Sequence, residues 1–262
     1  MPPSLARREP DLVEWMDRPD CDPERLEATY GHFRWVNRRL GRWWTVYRRW
    51  VRPVLRREAG DHRGVEGCER GPVLRILDVG SGGGDIARAL LHWGQADGFR
   101  VEVTGIDPDP RALRWARSSG TAPDEVGPRP DFRQAMASDL LQGGERFHVV
   151  VSNHVLHHLE DPEVRAFLSE LEGLALRRVV VTDIERSPMG YQLFRVVSAL
   201  PRFRDSYVRP DGLLSIRRSF RARELARVSP PGWTVRRLVP FRLVALRDVP
   251  REAASSLEAG SP

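Results

Sequence analysis

Ile76-Leu77-Asp78-Val79-Gly80-Ser81-Gly82-Gly83-Gly84-Asp85 is the stretch from which the rest of this chain can be read. An apolar run of strand length passes straight into a glycine turn, with an acid just ahead of it. Glycine at 80, 82 and 84 lets the backbone bend tightly and approach a ligand where a Cβ would collide. Downstream, Ile86, Leu90 and Leu91 recur at helical spacing, so the turn joins a strand to a helix. Dinucleotide-binding folds place a ligand at such a junction.

The Asp-x-Gly-x-Gly-x-Gly spacing of Asp78, Gly80, Gly82 and Gly84 resembles the signature of class I S-adenosylmethionine-dependent methyltransferases. The glycine turn alone would equally serve NAD or FAD; two acids sharpen the reading. Val101 to Asp107 is an alternating strand that ends in a carboxylate, followed by Pro108. An acid at the end of the second strand grips ribose hydroxyls, in NAD sites as well, so Asp107 indicates an adenosyl ligand without choosing one. Asp78 chooses. An acid directly before the glycines suits the cationic aminopropyl end of adenosylmethionine and sits poorly beside a pyrophosphate. The resemblance thus implies a cofactor site built from Asp78, Gly80, Ser81, Gly82, Gly84, Asp107 and Pro108.

The length, 262 residues, fits one α/β domain with an extension. Hydrophobic content of 40% and charged content of 30% describe a soluble globular protein. No stretch approaches the roughly 20 apolar residues needed to span a bilayer. The first ten residues lack the apolar core of a secretory signal. Cys21 and Cys68 form no metal spacing and imply no disulfide framework, which fits a reducing cytoplasm. All 42 basic residues are arginine, against 36 acids, for a net charge of +6. Acids and arginines are mostly interspersed, so composition alone does not make this a nucleic-acid protein.

Residues 11 to about 57 read as helices, with Asp11 and Asp22 as N-caps and Leu26, Tyr30, Phe33, Val36 and Leu40 along one face. Residues 1–58 therefore form a helical cap, joined by a glycine-rich linker at 59–71 to a main domain at 72–249. In that domain strands are expected at 73–79, 100–106, 130–134, 147–152 and 178–184. Helices are expected at 84–94, 109–118 and 162–174, which makes a doubly wound parallel sheet. Residues 185–231 form a helical insertion on the acceptor side: a helix at about 188–200, a basic proline-bounded segment at 201–218, and a helix near 220–228. The resemblance implies that 233–239 and 242–246 close the sheet as an antiparallel hairpin, for seven mostly parallel strands. Residues from 250 read as a disordered tail.

Asp139 and Leu140 follow the third strand where the family holds the adenine amino group; the alternative for Asp139 is helix capping. Ser152, Asn153, His154, His157 and His158 stand at the exit of the fourth strand, bordering the ligand crevice of an open parallel sheet. The resemblance places Ser152 and Asn153 near the methionine moiety. No cysteine or paired carboxylate completes a metal shell around the histidines, so no metal is expected. A phenol or enol must lose a proton as its oxygen attacks a methyl group, and histidine titrates near neutrality. His154, His157 and His158 are thus the candidate bases. No Asn/Asp-Pro-Pro-aromatic run follows the fourth strand and no cysteine stands where a covalent cytosine methyltransferase needs one, which argues against DNA.

Trp15, Trp35, Trp43, Trp44 and Trp50 lie among Arg34, Arg38, Arg39, Arg42, Arg48, Arg49 and Arg52. They read as a packed cap with solvated arginines, as a roof over an acceptor pocket, or as a surface for peripheral membrane contact. RNA docking is less favoured, because no RNA-binding module is appended. The expectation is a cytoplasmic enzyme, monomer or homodimer, that moves a methyl group from S-adenosylmethionine to a hydroxyl or activated carbon of a small aromatic or polyketide-like metabolite, leaving S-adenosylhomocysteine. Text around Asn37 to Gly41 and Asp183 to Ser187 resembles bacterial methyltransferases tied to phenolic or polyketide products. The alternatives are a membrane quinone or lipid acceptor, RNA, or a non-catalytic binding protein.

Overall fold

A computed structural model describes residues 3–39, 41–60, 71–118 and 128–250. Leu40, Cys68, most of the expected linker and the expected tail past 250 lie outside the described residues. Strands β1 (Leu74–Val79), β2 (Val101–Asp107), β3 (Asp131–Gln134), β4 (Phe147–Asn153), β5 (Ala175–Ile184), β6 (Thr234–Leu238) and β7 (Arg242–Asp248) form one sheet. Its order is β3-β2-β1-β4-β5-β7-β6. The pairs among β1 to β5 are parallel, whereas β7 runs antiparallel to both β5 and β6. This is the seven-stranded class I methyltransferase fold that the sequence implies.

Helices precede and separate the strands: α1 (Pro23–Arg39), α2 (Trp43–Val46), a π-helical turn (Tyr47–Val51), α3 (Arg52–Gly60), α4 (Asp85–Ala96), α5 (Pro110–Ser118), α6 (Ala137–Gln142), α7 (Asp161–Leu174), α8 (Pro188–Val197), α9 (Val208–Arg218) and α10 (Ala222–Val228). Ile76, Val149 and Val180 pack on one sheet face with Val51 and Leu55, and with Leu90 of α4. Leu77, Val150 and Val181 face the other side, against Leu168 and Leu171 of α7. Both faces are covered, so the central strands read as continuous apolar runs rather than alternating ones. Trp43 and Trp50 are buried in the first of these cores, while Trp44 stays half-exposed and stacks on Tyr47.

The structure departs from the sequence expectations at the flanks. Asp22 does cap α1, its Oδ1 accepting from the N–H of Glu24 at 2.9 Å and of Arg25 at 3.3 Å. Asp11 caps nothing: before Pro23 the regular structure is a 3-10 turn at Trp15–Asp17. The basic segment 201–218 contains α9, because Pro210 falls in its first turn, where a missing N–H costs nothing. Two of its arginines are held by other elements. Arg218 is buried, donating to the carbonyls of His157 and His158, and Arg217 pairs with Glu9 at 2.7 Å.

These contacts turn residues 5–17 into a strap across α9. Leu5 packs with Tyr191 and Ile216, and its carbonyl accepts from buried Arg186 and from Arg221. The Asp211 carboxylate takes the N–H groups of Trp15 at 2.8 Å and Met16 at 2.9 Å, fixing the 3-10 turn. The strap thereby reaches the carboxyl edge of the sheet.

Candidate active site

The parallel strand order reverses between β1 and β4, and a cavity of about 500 Å³ opens at their carboxyl ends. That is the binding crevice of open α/β sheets. Gly80, Gly82 and Gly84 have φ of +70°, +50° and +75°, the left-handed region that glycine adopts freely. A Cβ on Gly80 would stand 2.4 Å from Val155 Cγ2. Gly80→Ala is expected to destabilise the fold by about 1–3 kcal/mol through strain and overpacking. A melting curve would show it, and adding Val155→Ala should restore the steric part.

Asp78 is buried at the end of β1, and its Oδ2 has no hydrogen-bond partner. Burial, with Asp85 nearby, pushes its carboxyl well above the usual range. An anionic oxygen so placed is costly until a cation or donor meets it. Asp107 is better supplied: Oδ2 accepts from Gly82 N–H at 2.8 Å and Oδ1 from Asp109 N–H at 2.9 Å. These bonds aim its carboxylate into the cavity from the tip of β2.

A polar chain crosses the cavity between the sheet and α1. Arg242 Nη2 donates to Asn153 Oδ1 at 2.6 Å, Asn153 Nδ2 to Asn37 Oδ1 at 3.2 Å, and Asn37 Nδ2 to Asp85 Oδ2 at 3.0 Å. Thr182 Oγ1 also donates to Asn153 Oδ1, at 2.7 Å. Burial lowers Arg242 to about 10 against the pull of Asp183, so it remains a cation at neutral pH.

The histidines separate into three environments. His154, at φ +62°, has Nε2 accepting from Arg242 Nη1 at 2.5 Å. Burial and then that guanidinium hold its basicity well below the ordinary range. His157 is buried between two carboxylates, with Nδ1 at 2.8 Å from Asp183 Oδ1 and Nε2 at 3.3 Å from Glu14 Oε1. Burial opposes its charge, yet Asp183 and Glu14 raise it to about 9. Burial alone would raise Asp183 and Glu14; the imidazolium keeps both below their usual values. His158 is partly exposed, with Nδ1 at 3.2 Å from Asp17 Oδ2.

Asp78, Gly80, Ser81, Gly82, Asp107, Pro108, Asn153 and the three histidines all line this one cavity. Four expected residues do not. Gly84 begins α4 behind the turn, where a Cβ would strike the Phe132 ring at 2.4 Å. Ser152 is fully buried within β4. Leu140 belongs to the core under α7, and Asp139 folds back on its own helix, accepting from Met136 N–H at 2.8 Å. The capping alternative for Asp139 describes its geometry, since a carboxylate at the third position of a helix satisfies the N–H that precedes it.

Sequence spacing also misses the acids around the histidines. Glu14, Asp17 and Asp183 are remote in the chain, yet the strap and β5 bring them to the 3-10 turn Leu156–His158. The expectation that no paired carboxylate stands around these histidines is corrected accordingly. Ligand atoms of Glu14, His157 and His158 lie within 4.8 Å of one another, as do those of His154, His157 and Asp183. Asp183 could have been found by its position: like Asp107 it stands near the carboxyl end of a parallel strand. Glu14 and Asp17 carry no such signal.

A family model described as a methyltransferase domain matches residues 76–176, from the first glycine strand to the start of β5. Residues 76–176 thus carry the pattern of a methyltransferase domain. This methyltransferase domain is 38% identical over 112 residues to a ubiquinone biosynthesis O-methyltransferase of Azorhizobium caulinodans, covering 42% of this chain and 40% of the relative. It is 36% identical over 122 residues to the enzyme of that name from Cereibacter sphaeroides, covering 46% and 45%. The chain thus spans less than half the length of these two curated relatives. The solved plantazolicin methyltransferase BamL, in complex with a triazolic desmethylPZN analog and SAH, superposes over 86% of this chain and 95% of its own, with a TM-score of 0.51 at 14% identity. That likeness is one of fold. Among the described residues no helix is long and apolar enough to cross a membrane.

Proposed function

We propose that this protein transfers the methyl group of S-adenosylmethionine to a hydroxyl of a small aromatic metabolite that bears an apolar tail. The unpartnered, buried Asp78 oxygen at the glycine turn carries the cofactor half of the reading. It offers an anion to the ammonium end of the cofactor, while Asp107 presents a carboxylate to vicinal hydroxyls and Gly82 leaves open space for close approach. Bound there, the cofactor supplies an activated methyl group on a sulfonium. The protein's work is then alignment and exclusion of water.

The acceptor half is apolar. Phe33, Val36, Phe194, Val197 and Phe241 line it, and Leu193 continues from the wall onto the surface. There Met189, Leu193, Val196 and Val239 are half to three-quarters exposed. A planar ring seated in the cavity would send a hydrocarbon substituent out along α8, burying it at about 0.8 kcal/mol per methylene. The names of the curated relatives support a phenolic acceptor, since both are O-methyltransferases of ubiquinone biosynthesis. A membrane quinone or lipid acceptor would use the same α8 face.

Calorimetric titration with S-adenosylmethionine, S-adenosylhomocysteine and NAD tests the cofactor assignment, and a radiolabelled methyl-transfer screen of alkylated phenols tests the acceptor. The expected result is micromolar binding of the first two ligands, no binding of NAD, and label in phenolic ethers. Binding of NAD alone would overturn the reading of Asp78. Cofactor binding with no label in any phenol would overturn the acceptor.

A further inference from the structure

The site holds three histidines, and the geometry leaves one of them available to the acceptor. His154 cannot accept a proton without displacing Arg242 from Nε2. Both ring nitrogens of His157 face carboxylates, and its peptide N–H is tied to Asp183 Oδ2 at 2.9 Å. Glu14 is almost wholly buried and already accepts from Ser215 Oγ at 2.8 Å. His158 differs from all of these. Its Nδ1 faces Asp17, its Nε2 has no protein partner among the described residues, and its side chain is 30% exposed in the cavity wall.

We infer that His158 is the catalytic base for the acceptor hydroxyl, and that Asp17, carried on the N-terminal strap, is the positioning residue that selects its tautomer. This rests on the phenolic reading above. A carboxylate beside Nδ1 keeps the proton on that nitrogen and the lone pair on Nε2, the arrangement by which an acid orients a catalytic imidazole. The acceptor O–H bond breaks, its proton passes to Nε2, and the oxygen keeps the electron pair. That oxygen forms the new O–CH₃ bond as the methyl–sulfur bond breaks and its pair stays on sulfur. The imidazolium is then held by Asp17 and can return its proton to solvent at its exposed edge.

The surroundings are consistent with a site assembled for this step. The His158 ring lies 4.2 Å from the His157 ring, whose charge is balanced by Glu14 and Asp183. Arg218 of α9 reaches Asp17 Oδ2 and Glu14 Oε1, each at 3.9 Å, and Arg8 lies behind the turn on the carbonyls of His157 and Leu159. Asp211 fixes the strap through Trp15 and Met16, so the distance from Asp17 to His158 is set by tertiary structure rather than by a loose terminus. The N-terminal segment is on this account part of the catalytic apparatus.

The test compares the full-length protein with His158→Gln, Asp17→Asn and Asp17→Glu, using 5-pentylresorcinol and its nitro-substituted analogue, which is already ionised at neutral pH. His158→Gln should lower turnover of the plain resorcinol by about a hundredfold or more, with cofactor affinity unchanged. The loss should shrink sharply for the nitro compound, which needs no base. Asp17→Asn should lower turnover of the plain resorcinol with cofactor affinity unchanged, because the imidazole is then free to take the wrong tautomer. Asp17→Glu should recover part of the rate. Full activity of His158→Gln, or an equal loss with both acceptors, would overturn the inference. Should the wild-type protein bind the cofactor but methylate neither resorcinol, the acceptor reading fails. Nitrogen NMR of the histidine rings then decides the pair by itself: the Nδ1–H tautomer of His158, lost in Asp17→Asn, supports it, and its absence in the wild type refutes it.

Discussion

Asp107→Ala is expected to weaken S-adenosylmethionine binding by about two orders of magnitude or more while leaving the protein folded. A hydrogen bond to a charged group contributes about 1.5–3 kcal/mol, and two ribose hydroxyls on one carboxylate come to about 3 kcal/mol at least, a hundredfold in affinity. The substitution also frees the N–H groups of Gly82 and Asp109, which the carboxylate now holds at 2.8 Å and 2.9 Å. The glycine turn would therefore lose a restraint as well as a ligand contact. Asp107→Asn keeps an acceptor oxygen for one of these N–H groups and should cost less. Calorimetry on both variants, with melting curves as a control for folding, reads the effect. Unchanged affinity in Asp107→Ala would remove Asp107 from the cofactor site.

The second large effect concerns His157 and is expected in stability rather than in binding. His157→Ala leaves Glu14 and Asp183 buried with no cation between them. Removing one partner of a buried ionic group costs about 3–5 kcal/mol, which denaturant unfolding at neutral pH would detect. The pH dependence has a definite sign. The histidine binds its proton more tightly in the folded protein, at about 9 against an ordinary 6.5. Its contribution, up to about 3 kcal/mol, is fully present below pH 6.5 and is lost as pH rises through 9. The depressed values of Glu14 and Asp183 express the same coupling from the other side, so their stabilisation is present above the ordinary carboxylate range and lost in acid. Wild-type stability should thus decline between pH 6.5 and 9.5. In His157→Ala that decline should be lost, because the group that titrates across this range is gone. A flat wild-type profile over that range would show that His157 is not an imidazolium.

The same buried group explains why catalysis and architecture are entangled in this site. His157 joins the strap, through Glu14, to β5, through Asp183, while its carbonyl receives Arg8 and Arg218. It holds together the elements that present His158. Its role is that of a keystone of charge, and the neighbouring residue in sequence is the one left open to chemistry.

The chain by itself determined the sheet, the glycine turn and the two acids, Asp78 and Asp107, that line the cavity beside it. Those features are local: Leu77, Asp78, Gly80 and Gly82 are contiguous, and Asp107 ends a strand whose alternation is visible in seven residues. Periodicity and glycine spacing are properties of neighbouring residues, so a linear reading recovers them. The closing hairpin followed from the family resemblance, and the structure shows it as β6 and β7. Tertiary structure decided the rest. Asp139 reads as an adenine ligand by position, but a carboxylate one turn into α6 bonds its own helix end instead. Glu14 and Asp17 read as part of a helical cap, yet Asp211, nearly 200 positions away, pins their turn against the histidines. Three histidines of similar sequence context acquire three different chemistries because Arg242, Asp183, Glu14 and Asp17 each arrive from a different element. Proton affinity is set by the charges within a few ångströms of a group, and those neighbours exist only once the chain has folded.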